Sequence, residues 1–213
     1  MISIALAKGR LAKDGLELFK SIGIDCPDYS TKSRKLIFFS SDERYKFIMV
    51  KPSDVPIYVE RGAADIGIVG KDTLLEEGKD VYELLDLKFA SCKMSVAGFP
   101  DEKKRSITNN NIRVATKYPN IARSFFSQRK EMVEIIKLNG SVELGPIIGL
   151  SDIIVDIVES GKTLKENGLV VIEDICPITA RLIVNRVSLK IKRGRIEDII
   201  KSLEKSLEEK YDD

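Results

Sequence analysis

The residue types that could do chemistry are most concentrated between residues 143 and 164, where the sequence reads ELGPIIGLSDIIVDIVESGKTL. Its tetrapeptide Ser160-Gly161-Lys162-Thr163 resembles the end of a nucleotide-binding P-loop. That motif requires a glycine five positions before the glycine of its Gly-Lys-Thr. The position is occupied by Asp156, inside an apolar run. A P-loop kinase is therefore rejected as a reading of this segment.

The same segment fits a phosphate in another way. We predict a strand over Asp152–Ile157 and a helix near Lys162–Glu166, which leaves a strand-to-helix loop between them. Such loops present free backbone N–H groups at the positive end of a helix, where anions bind. Gly161 permits close backbone approach, and the hydroxyls of Ser160 and Thr163 can donate to phosphate oxygens.

Two carboxylates flank this loop. Asp156 and Glu159 only accept hydrogen bonds when they are ionised, which suits the hydroxyls of a ribose. Together with the loop they predict a sugar phosphate as the ligand. The alternative is a capped surface turn with solvated carboxylates.

Composition narrows the chemistry further. The chain has 213 residues, is 43% hydrophobic and 32% charged, and carries a net charge of +2, which gives no reason to predict a nucleic acid as partner. No apolar run is long enough for a membrane span. There is no histidine, which excludes Ser-His and Cys-His nucleophiles. The three cysteines predict buried, reduced thiols of a cytoplasmic protein rather than a disulfide framework or a metal site.

Apolar runs alternate with helical patterns along the chain, which predicts βαβ units and a largely parallel sheet. The segments 62–78 and 149–168 form a weak internal repeat, in which the second copy is three residues longer in its strand-to-helix loop. We predict an α/β fold with two lobes, of the type II periplasmic-binding-protein-like architecture, with ligands in the cleft between the lobes. Lobe I comprises residues 1–91 and 178–213, and lobe II comprises residues 92–177. Chance resemblance of two strand-to-helix turns remains the alternative explanation of the repeat.

Basic residues follow several predicted strands at their carboxyl ends, where α/β proteins bind ligands. They are Lys8 and Arg10 of the turn Lys8-Gly9-Arg10, Lys51 and Lys71. On the residues alone, the alternative to a ligand contact is that each is an exposed cation at a strand end. Thr116, Lys117 and Tyr118 follow another predicted strand and are expected to line lobe II.

A set of short motifs makes the chain closely resemble the ATP phosphoribosyltransferase family. The resemblance rests on motifs in a fixed order and spacing, and it covers essentially the whole chain. The motifs before residue 143 are Lys8-Gly9-Arg10, Ser33-Arg34-Lys35-Leu36, Ser53-Asp54-Val55-Pro56, the run Ala64–Asp72 and Ala115-Thr116-Lys117-Tyr118. Later motifs comprise Glu143, Gly149, Ser151, Ile154, Asp156, Ile157, Ser160, Gly161, Thr163, Leu164 and Arg181–Asn185. Lys162 occupies a variable position of the signature.

The resemblance implies a function. Such an enzyme transfers the phosphoribosyl group of phosphoribosyl pyrophosphate to N1 of the adenine of ATP, releases pyrophosphate and begins histidine biosynthesis. It implies Mg²⁺ as cofactor and roles for Arg34 and Arg10 at the departing pyrophosphate. Lys8, Gly9, Lys51, Lys71 and Glu143 would contact substrate, with the 156–163 segment on the ribose 5-phosphate.

The resemblance also implies partners. Long members of the family continue into a regulatory domain, for which the sequence after Lys210 leaves no room. The chain is therefore identified with the short form, a cytoplasmic homodimer that joins a histidyl-tRNA-synthetase-like regulatory subunit in a hetero-octamer. A non-catalytic two-lobed binding module is the remaining alternative, disfavoured by the arginines at strand ends.

Overall fold

The computed structural model describes residues 1–101 and 112–211, so residues 102–111 and 212–213 lie outside the description below. The chain divides into two compact units. Unit 1 is formed by Met1–Ala90 with Thr179–Asp213, and unit 2 by Ser91–Ile178. None of the described helices combines the length and the apolar character that a membrane span requires.

Unit 1 is built on a six-stranded mixed sheet in the order β2-β3-β1-β4-β11-β5. Its strands are β1 (Ile2–Ala7), β2 (Ile37–Phe39), β3 (Tyr45–Val50), β4 (Ile66–Gly70), β5 (Tyr82–Asp86) and β11 (Ala180–Val184). Its helices are α1 (Arg10–Ser21), α2 (Val55–Glu60), α3 (Lys71–Glu77), α7 (Arg186–Ile191) and α8 (Arg193–Tyr211). A short 3-10 helix at Pro52–Asp54 precedes α2.

Helix α8 shows why the unit folds around this sheet. Its buried residues Ile196, Ile199, Leu203 and Leu207 recur three or four positions apart, which puts them on one face of a helix. They pack with the fully buried Phe19 of α1 in the larger core cluster of the unit. A second cluster, which includes Val55 and Val59 of α2, covers the other face of the sheet.

Unit 2 has a five-stranded mixed sheet in the order β10-β6-β9-β7-β8. Its strands are β6 (Cys92–Gly98), β7 (Ile112–Thr116), β8 (Val133–Lys137), β9 (Ile153–Val158) and β10 (Val170–Ile178). Its helices are α4 (Pro119–Gln128), α5 (Leu144–Ile147) and α6 (Lys162–Glu166). Separate apolar clusters lie on the two faces of the sheet.

The prediction of a largely parallel sheet was wrong. Strand β1 pairs in parallel with β3 and β4, but β11 pairs antiparallel with both β4 and β5. In unit 2, β6 is antiparallel to both of its neighbours, β9 and β10. An apolar run indicates that a strand exists, whereas its direction depends on partners distant in sequence.

Several local details come from the structure. Strand β10 continues through Ile178. Tyr118 is the N-cap of α4, and Pro119 occupies the first helical position. Proline favours that position because its missing N–H would be unpaired there anyway. The three cysteines are free, as predicted, but they are half-buried rather than buried.

Candidate functional site

Unit 1 brings most of its predicted site residues to one edge of the sheet. In-register pairing places the last residue of β1 opposite the last residue of β3, and β4 runs parallel on the other side of β1. Lys8 and Arg10 follow β1, Lys51 follows β3, and Lys71 is the first residue after β4. The backbone N–H of Lys8 donates to the carbonyl of Val50 at 2.9 Å, which joins the first two of these strand ends.

Gly9 allows the chain to turn sharply between β1 and α1. Its backbone has φ 100° and ψ −143°, a conformation that residues with a Cβ rarely adopt. Arg10 is consequently the first residue of α1 and is exposed. The turn therefore places the Arg10 guanidinium at the carboxyl edge of the sheet.

A pocket of about 400 Å³ lies at this edge. Four cationic side chains line it, from Lys8, Arg10, Lys13 and Lys35. Lys13 and Lys35 were not among the predicted site residues. Lys13 could have been found from its position three residues after Arg10, which puts both on one side of α1.

The remaining lining of this pocket is apolar and hydroxylic. Tyr29, Phe38 and Met49 contribute apolar surface, and the rings of Tyr29 and Phe38 pack edge to face with centroids 5.4 Å apart. Three hydroxyls, of Ser30, Thr31 and Ser33, also line it. The lining thus combines cations, hydroxyl donors and an aromatic surface, and none of the described residues in it is a carboxylate.

Arg34 lies in the extended segment before β2 and is exposed. Its neighbours Ser33 and Lys35 both line the pocket, whereas Arg34 itself does not. The backbone N–H of Lys35 donates to the hydroxyl of Ser33 at 3.2 Å, which shapes the backbone around Arg34. The structure therefore places Arg34 beside the pocket.

Lys71 belongs to an ion-pair network at the end of β4. Its ammonium donates to Glu83 at 2.6 Å, and Arg181 pairs with the same Glu83 at 3.4 Å and with Asp86 at 3.1 Å. Burial would raise the pKa of Asp86, but hydrogen bonds from the Lys88 backbone and the Thr179 hydroxyl, together with nearby cations, hold it below its usual range. Lys71 is thus less available to a ligand than the exposed Lys51.

In unit 2, the alternation of β9 decides which way Asp156 faces. Ile153 and Val155 belong to one apolar cluster, while Ile154 and Val158 belong to the cluster on the opposite face. Asp156 shares the face of the latter pair because side chains alternate along a strand. It therefore lies near the end of β9 on the face that buries Leu164 of α6.

The loop after β9 consists of Glu159, Ser160 and Gly161, because β9 ends at Val158 and α6 begins at Lys162. Gly161 has φ 70°, in the left-handed region that favours glycine. The Ser160 hydroxyl accepts a hydrogen bond from the backbone N–H of Lys162 at 3.4 Å. Helix α6 has five residues, so its dipole is short, and the loop offers a ligand chiefly its N–H groups and hydroxyls.

The predicted side chains around this loop are placed as follows. Glu159, Ser160, Lys162 and Thr163 are exposed, and Asp156 is half-buried. The Lys162 ammonium lies 3.8 Å from Glu166 in an exposed i,i+4 pair. The hydroxyls and carboxylates of the loop are therefore accessible from solvent.

Glu143 directly precedes α5 and is half-buried. A Cβ on Gly145 would lie 2.5 Å from the Ser151 hydroxyl and 2.9 Å from the Ala115 side chain, so α5 packs tightly against the sheet. This close approach explains the small residue at position 145 and holds Glu143 on the face of the sheet that carries Asp156.

The start of β9 is held by a residue that sequence reasoning missed. Arg113 donates to both carboxylate oxygens of Asp152, at 3.0 and 3.3 Å, and to the carbonyl of Gly149 at 2.9 Å. No local signal marks Arg113, because its partners lie 36 and 39 residues away.

Thr116 and Tyr118, expected to line lobe II, lie within the packing of unit 2. Both are buried. The Thr116 hydroxyl donates to the carbonyl of Val155 at 2.6 Å and accepts from the Tyr118 N–H at 2.8 Å. Lys117 is exposed between them.

The arrangement can bind anions in unit 1 and a hydroxylated anion in unit 2. Within residues 1–101 and 112–211, no group of three His, Cys, Asp or Glu side chains is placed to hold a metal ion. The side chains of the two regions can supply charge stabilisation, hydrogen bonding and positioning.

Comparison with known proteins identifies the family of the chain. Residues 51–205 match the family described as HisG: ATP phosphoribosyltransferase. An ATP phosphoribosyltransferase of Ruminiclostridium cellulolyticum is 59% identical, over 93% of this chain and 94% of that protein. One of Caldanaerobacter subterraneus subsp. tengcongensis is 60% identical, over 95% of this chain and 96% of that protein.

Solved structures agree. The ATP phosphoribosyl transferase (HisG:HisZ) complex from Thermotoga maritima contains a chain that superposes with a TM-score of 0.84 at 35% identity, covering 98% of this chain and 100% of that chain. The VFT2 domain of Bordetella pertussis BvgS superposes with a TM-score of 0.60 at 12% identity, covering 98% of this chain and 90% of that one. The second likeness shows the two-lobed fold alone.

Proposed function

The chain belongs to the ATP phosphoribosyltransferase family and catalyses the first step of histidine biosynthesis, and we propose that its two units divide the substrates by charge. The basic pocket of unit 1 binds the departing pyrophosphate and the phosphates of ATP. The 156–163 segment of unit 2 binds the ribose 5-phosphate of phosphoribosyl pyrophosphate.

The observation that carries this proposal is the lining of the unit 1 pocket. Four cations and three hydroxyls meet there without a carboxylate, at the carboxyl edge of the sheet. Polyphosphates are the ligands that such a surface neutralises most effectively. The apolar surface of Tyr29 and Phe38 is suited to a purine ring next to those phosphates.

The reaction joins N1 of adenine to C1 of the ribose and breaks the bond from C1 to pyrophosphate. Adenine N1 has its own lone pair, so no general base is needed, which fits a chain without histidine. Positive charge develops on the sugar and negative charge on pyrophosphate. Arg34 and Arg10 stabilise the pyrophosphate through their planar, multiply donating guanidinium groups.

The loop of unit 2 positions the carbon that reacts. Its N–H groups and the hydroxyls of Ser160 and Thr163 donate to the 5-phosphate, while Asp156 and Glu159 accept from ribose hydroxyls. Glu143 faces the same ligand from α5. Contacts to both the 5-phosphate and the ribose hydroxyls keep C1 in line between adenine and pyrophosphate.

Mg²⁺ enters this proposal with the substrates. The described residues offer no metal-ligand cluster. Mg²⁺ commonly keeps several waters and binds through substrate phosphates, so we propose that phosphoribosyl pyrophosphate carries it. Bound there, it supplies further neutralisation of the leaving group.

We propose that the chain is a short-form catalytic subunit that works with a HisZ-type partner. The relatives named above are themselves covered over 94% and 96% of their length, so they are short as well. The Thermotoga maritima chain with 35% identity comes from a HisG:HisZ complex. The partner is the histidyl-tRNA-synthetase-like regulatory subunit, joined to dimers of this chain in a hetero-octamer. The free thiols of all three cysteines fit the reducing cytoplasm.

An assay of product formation tests the assignment of substrates and partner. Purified chain is mixed with ATP, phosphoribosyl pyrophosphate and Mg²⁺, with and without the HisZ-type subunit. We expect pyrophosphate and phosphoribosyl-ATP in equal amounts, with faster turnover when the partner is present. Absence of product with the authentic partner would contradict the proposal, and equal rates with and without it would remove the partner's activating role.

A further inference from the structure

Helix α7 presents two exposed apolar side chains on one face. Val187 and Ile191 are four residues apart, so they are neighbours on the helix surface. They are 60% and 76% exposed, and no large apolar residue in the described part of the chain is more exposed than Ile191. Neighbouring apolar side chains at the surface of a folded unit form a candidate contact with another protein.

A basic pocket adjoins this pair. It has a volume of about 410 Å³ and is lined by Met1 and residues 190–195. Of its cations, Lys192 is bound by Asp65, and Arg193 pairs with Glu197 at 2.7 Å. Lys190 and Arg195 form no ion pair with any residue that the structure describes. Two cations at this face are therefore available to a partner.

The first turn of α7 is held firmly at its start. The Asn185 side chain caps it, accepting hydrogen bonds from the N–H groups of Val187 and Ser188 at 3.0 and 2.8 Å. The same side chain donates to the carbonyl of Val59 at 2.8 Å. The backbone that carries Val187 is therefore fixed to the body of unit 1.

The end of α7 is held by the buried Asp65. Its carboxylate accepts from the Ser188 hydroxyl at 2.6 Å and from the Lys192 ammonium at 2.8 Å. Burial alone would raise the pKa of Asp65, but these hydrogen bonds and one from the Ser3 N–H hold it below its usual range. The surface is thus formed before any partner binds, which lowers the entropic cost of association.

This surface lies at the opposite edge of the sheet from the substrate residues. Met1 and Asp65 precede β1 and β4, whereas Lys8 and Lys71 follow the same strands. A partner bound at the amino-terminal edge leaves the basic pocket of unit 1 open to substrates.

We propose that the α7 surface, formed by Val187, Lys190, Ile191 and Arg195, is the docking site for the regulatory partner subunit. This rests on the proposed function, because it assumes that such a partner binds. The matching surface on the partner is an apolar patch rimmed by carboxylates, since an apolar centre with a charged rim is the common anatomy of such contacts.

A second copy of this chain fits the surface less well. In a two-fold symmetric contact each residue meets the same patch on the other copy. Such a contact would bring the Lys190 and Arg195 cations of both copies together, and like charges across an interface are costly. Charge complementarity therefore favours a different, acidic partner.

The test uses the full-length chain and the purified HisZ-type subunit from the same organism. Two variants remove the features separately: Ile191→Ser removes apolar surface, and Lys190→Glu with Arg195→Glu reverses the charge. Met132→Ser, 73% exposed in unit 2, is the matched control for the first. Lys201→Glu with Lys205→Glu, further along α8, is the control for the second. Thermal unfolding of each variant checks that it folds.

We expect each test variant to raise the Kd for the partner by at least about tenfold, the effect of losing a residue central to an interface. The charge-reversal variant should also lose the salt dependence of binding. Partner-free turnover should not change, and neither control should weaken binding.

Three results would overturn the proposal. If the partner binds the unchanged chain and both test variants with equal affinity, the site lies elsewhere and the proposed function stands. If the variants lose the homodimer but keep the partner, the surface belongs to a second copy. If the partner does not bind even the unchanged chain, the inference and the proposed partner fail together.

Discussion

The pocket of unit 1 is lined by four cationic side chains together with apolar residues, whereas the 156–163 segment of unit 2 carries Asp156 and Glu159 beside hydroxyl groups. Both follow the carboxyl end of a strand in a mixed α/β sheet. The weak repeat between 62–78 and 149–168 relates their supporting elements. In the first copy α3 follows β4 directly, while in the second three residues separate β9 from α6.

In the proposed function, the difference in charge between these two regions corresponds to the two charges that the reaction creates. Cations stabilise a leaving pyrophosphate, which gains negative charge as the bond to C1 breaks. Carboxylates near the ribose suit a sugar that gains positive charge, where a cluster of cations would oppose bond breaking. In the proposed function, the same kind of strand end thus serves two different ligands through the residues that follow it.

The largest expected effect concerns the cationic side. Arg34→Ala should lower the rate of the chemical step by more than about tenfold, or about 1.4 kcal/mol of transition-state stabilisation. Single-turnover measurements of pyrophosphate release would show it. Arg61→Ala, an exposed arginine of the same unit, is the control and should leave the rate unchanged. An unchanged chemical step in Arg34→Ala would remove this residue from the leaving-group role.

On the carboxylate side, Asp156→Asn should weaken binding of phosphoribosyl pyrophosphate by roughly tenfold, because a charged hydrogen-bond acceptor contributes about 1.5–3 kcal/mol. Binding would be measured by calorimetry in the absence of ATP. Glu166→Gln in the exposed part of α6 is the matched control. If Asp156→Asn binds this substrate as tightly as the unchanged chain, Asp156 lies outside the site and the contrast between the units loses its main support.

The smallest effect should come from Lys162, the first residue of α6. Its side chain is 80% exposed and paired with Glu166, so Lys162→Ala should raise the Kd for phosphoribosyl pyrophosphate by no more than about threefold. The same calorimetric titration checks this. A loss as large as that of Asp156→Asn would show that the loop binds by charge, as the pocket of unit 1 does.

The sequence predicted much of this molecule correctly. The two-lobed α/β class, the family and the reaction are confirmed. Helix α6 has the predicted bounds, and β9 lies within one residue of the strand predicted at 152–157. These elements were predictable because alternation in a strand, helical periodicity and a glycine at a turn are all local signals. The roles of the individual site residues stay predictions.

Other features depended on residues far apart in the chain. Lys13 and Lys35 join one pocket because α1 and the segment before β2 meet there. Thr116 and Tyr118 were expected to line lobe II, yet tertiary packing buries them. Lys71 follows a strand end as Lys51 does, but its ammonium donates to the carboxylate of Glu83 in β5. Sequence spacing alone could not distinguish these two lysines.

By itself, the sequence determined which residue types follow each strand, and the ordered motifs among them determined the family and the reaction. Only the tertiary structure decided the direction of β11, the composition of the unit 1 pocket and the anchoring of α7 through Asp65. The Lys192–Asp65 contact joins residues 127 positions apart. Local periodicity specifies an element because its neighbours in sequence are its neighbours in space. Pairing between distant segments instead depends on which folded arrangement buries the most apolar surface and satisfies the buried polar groups.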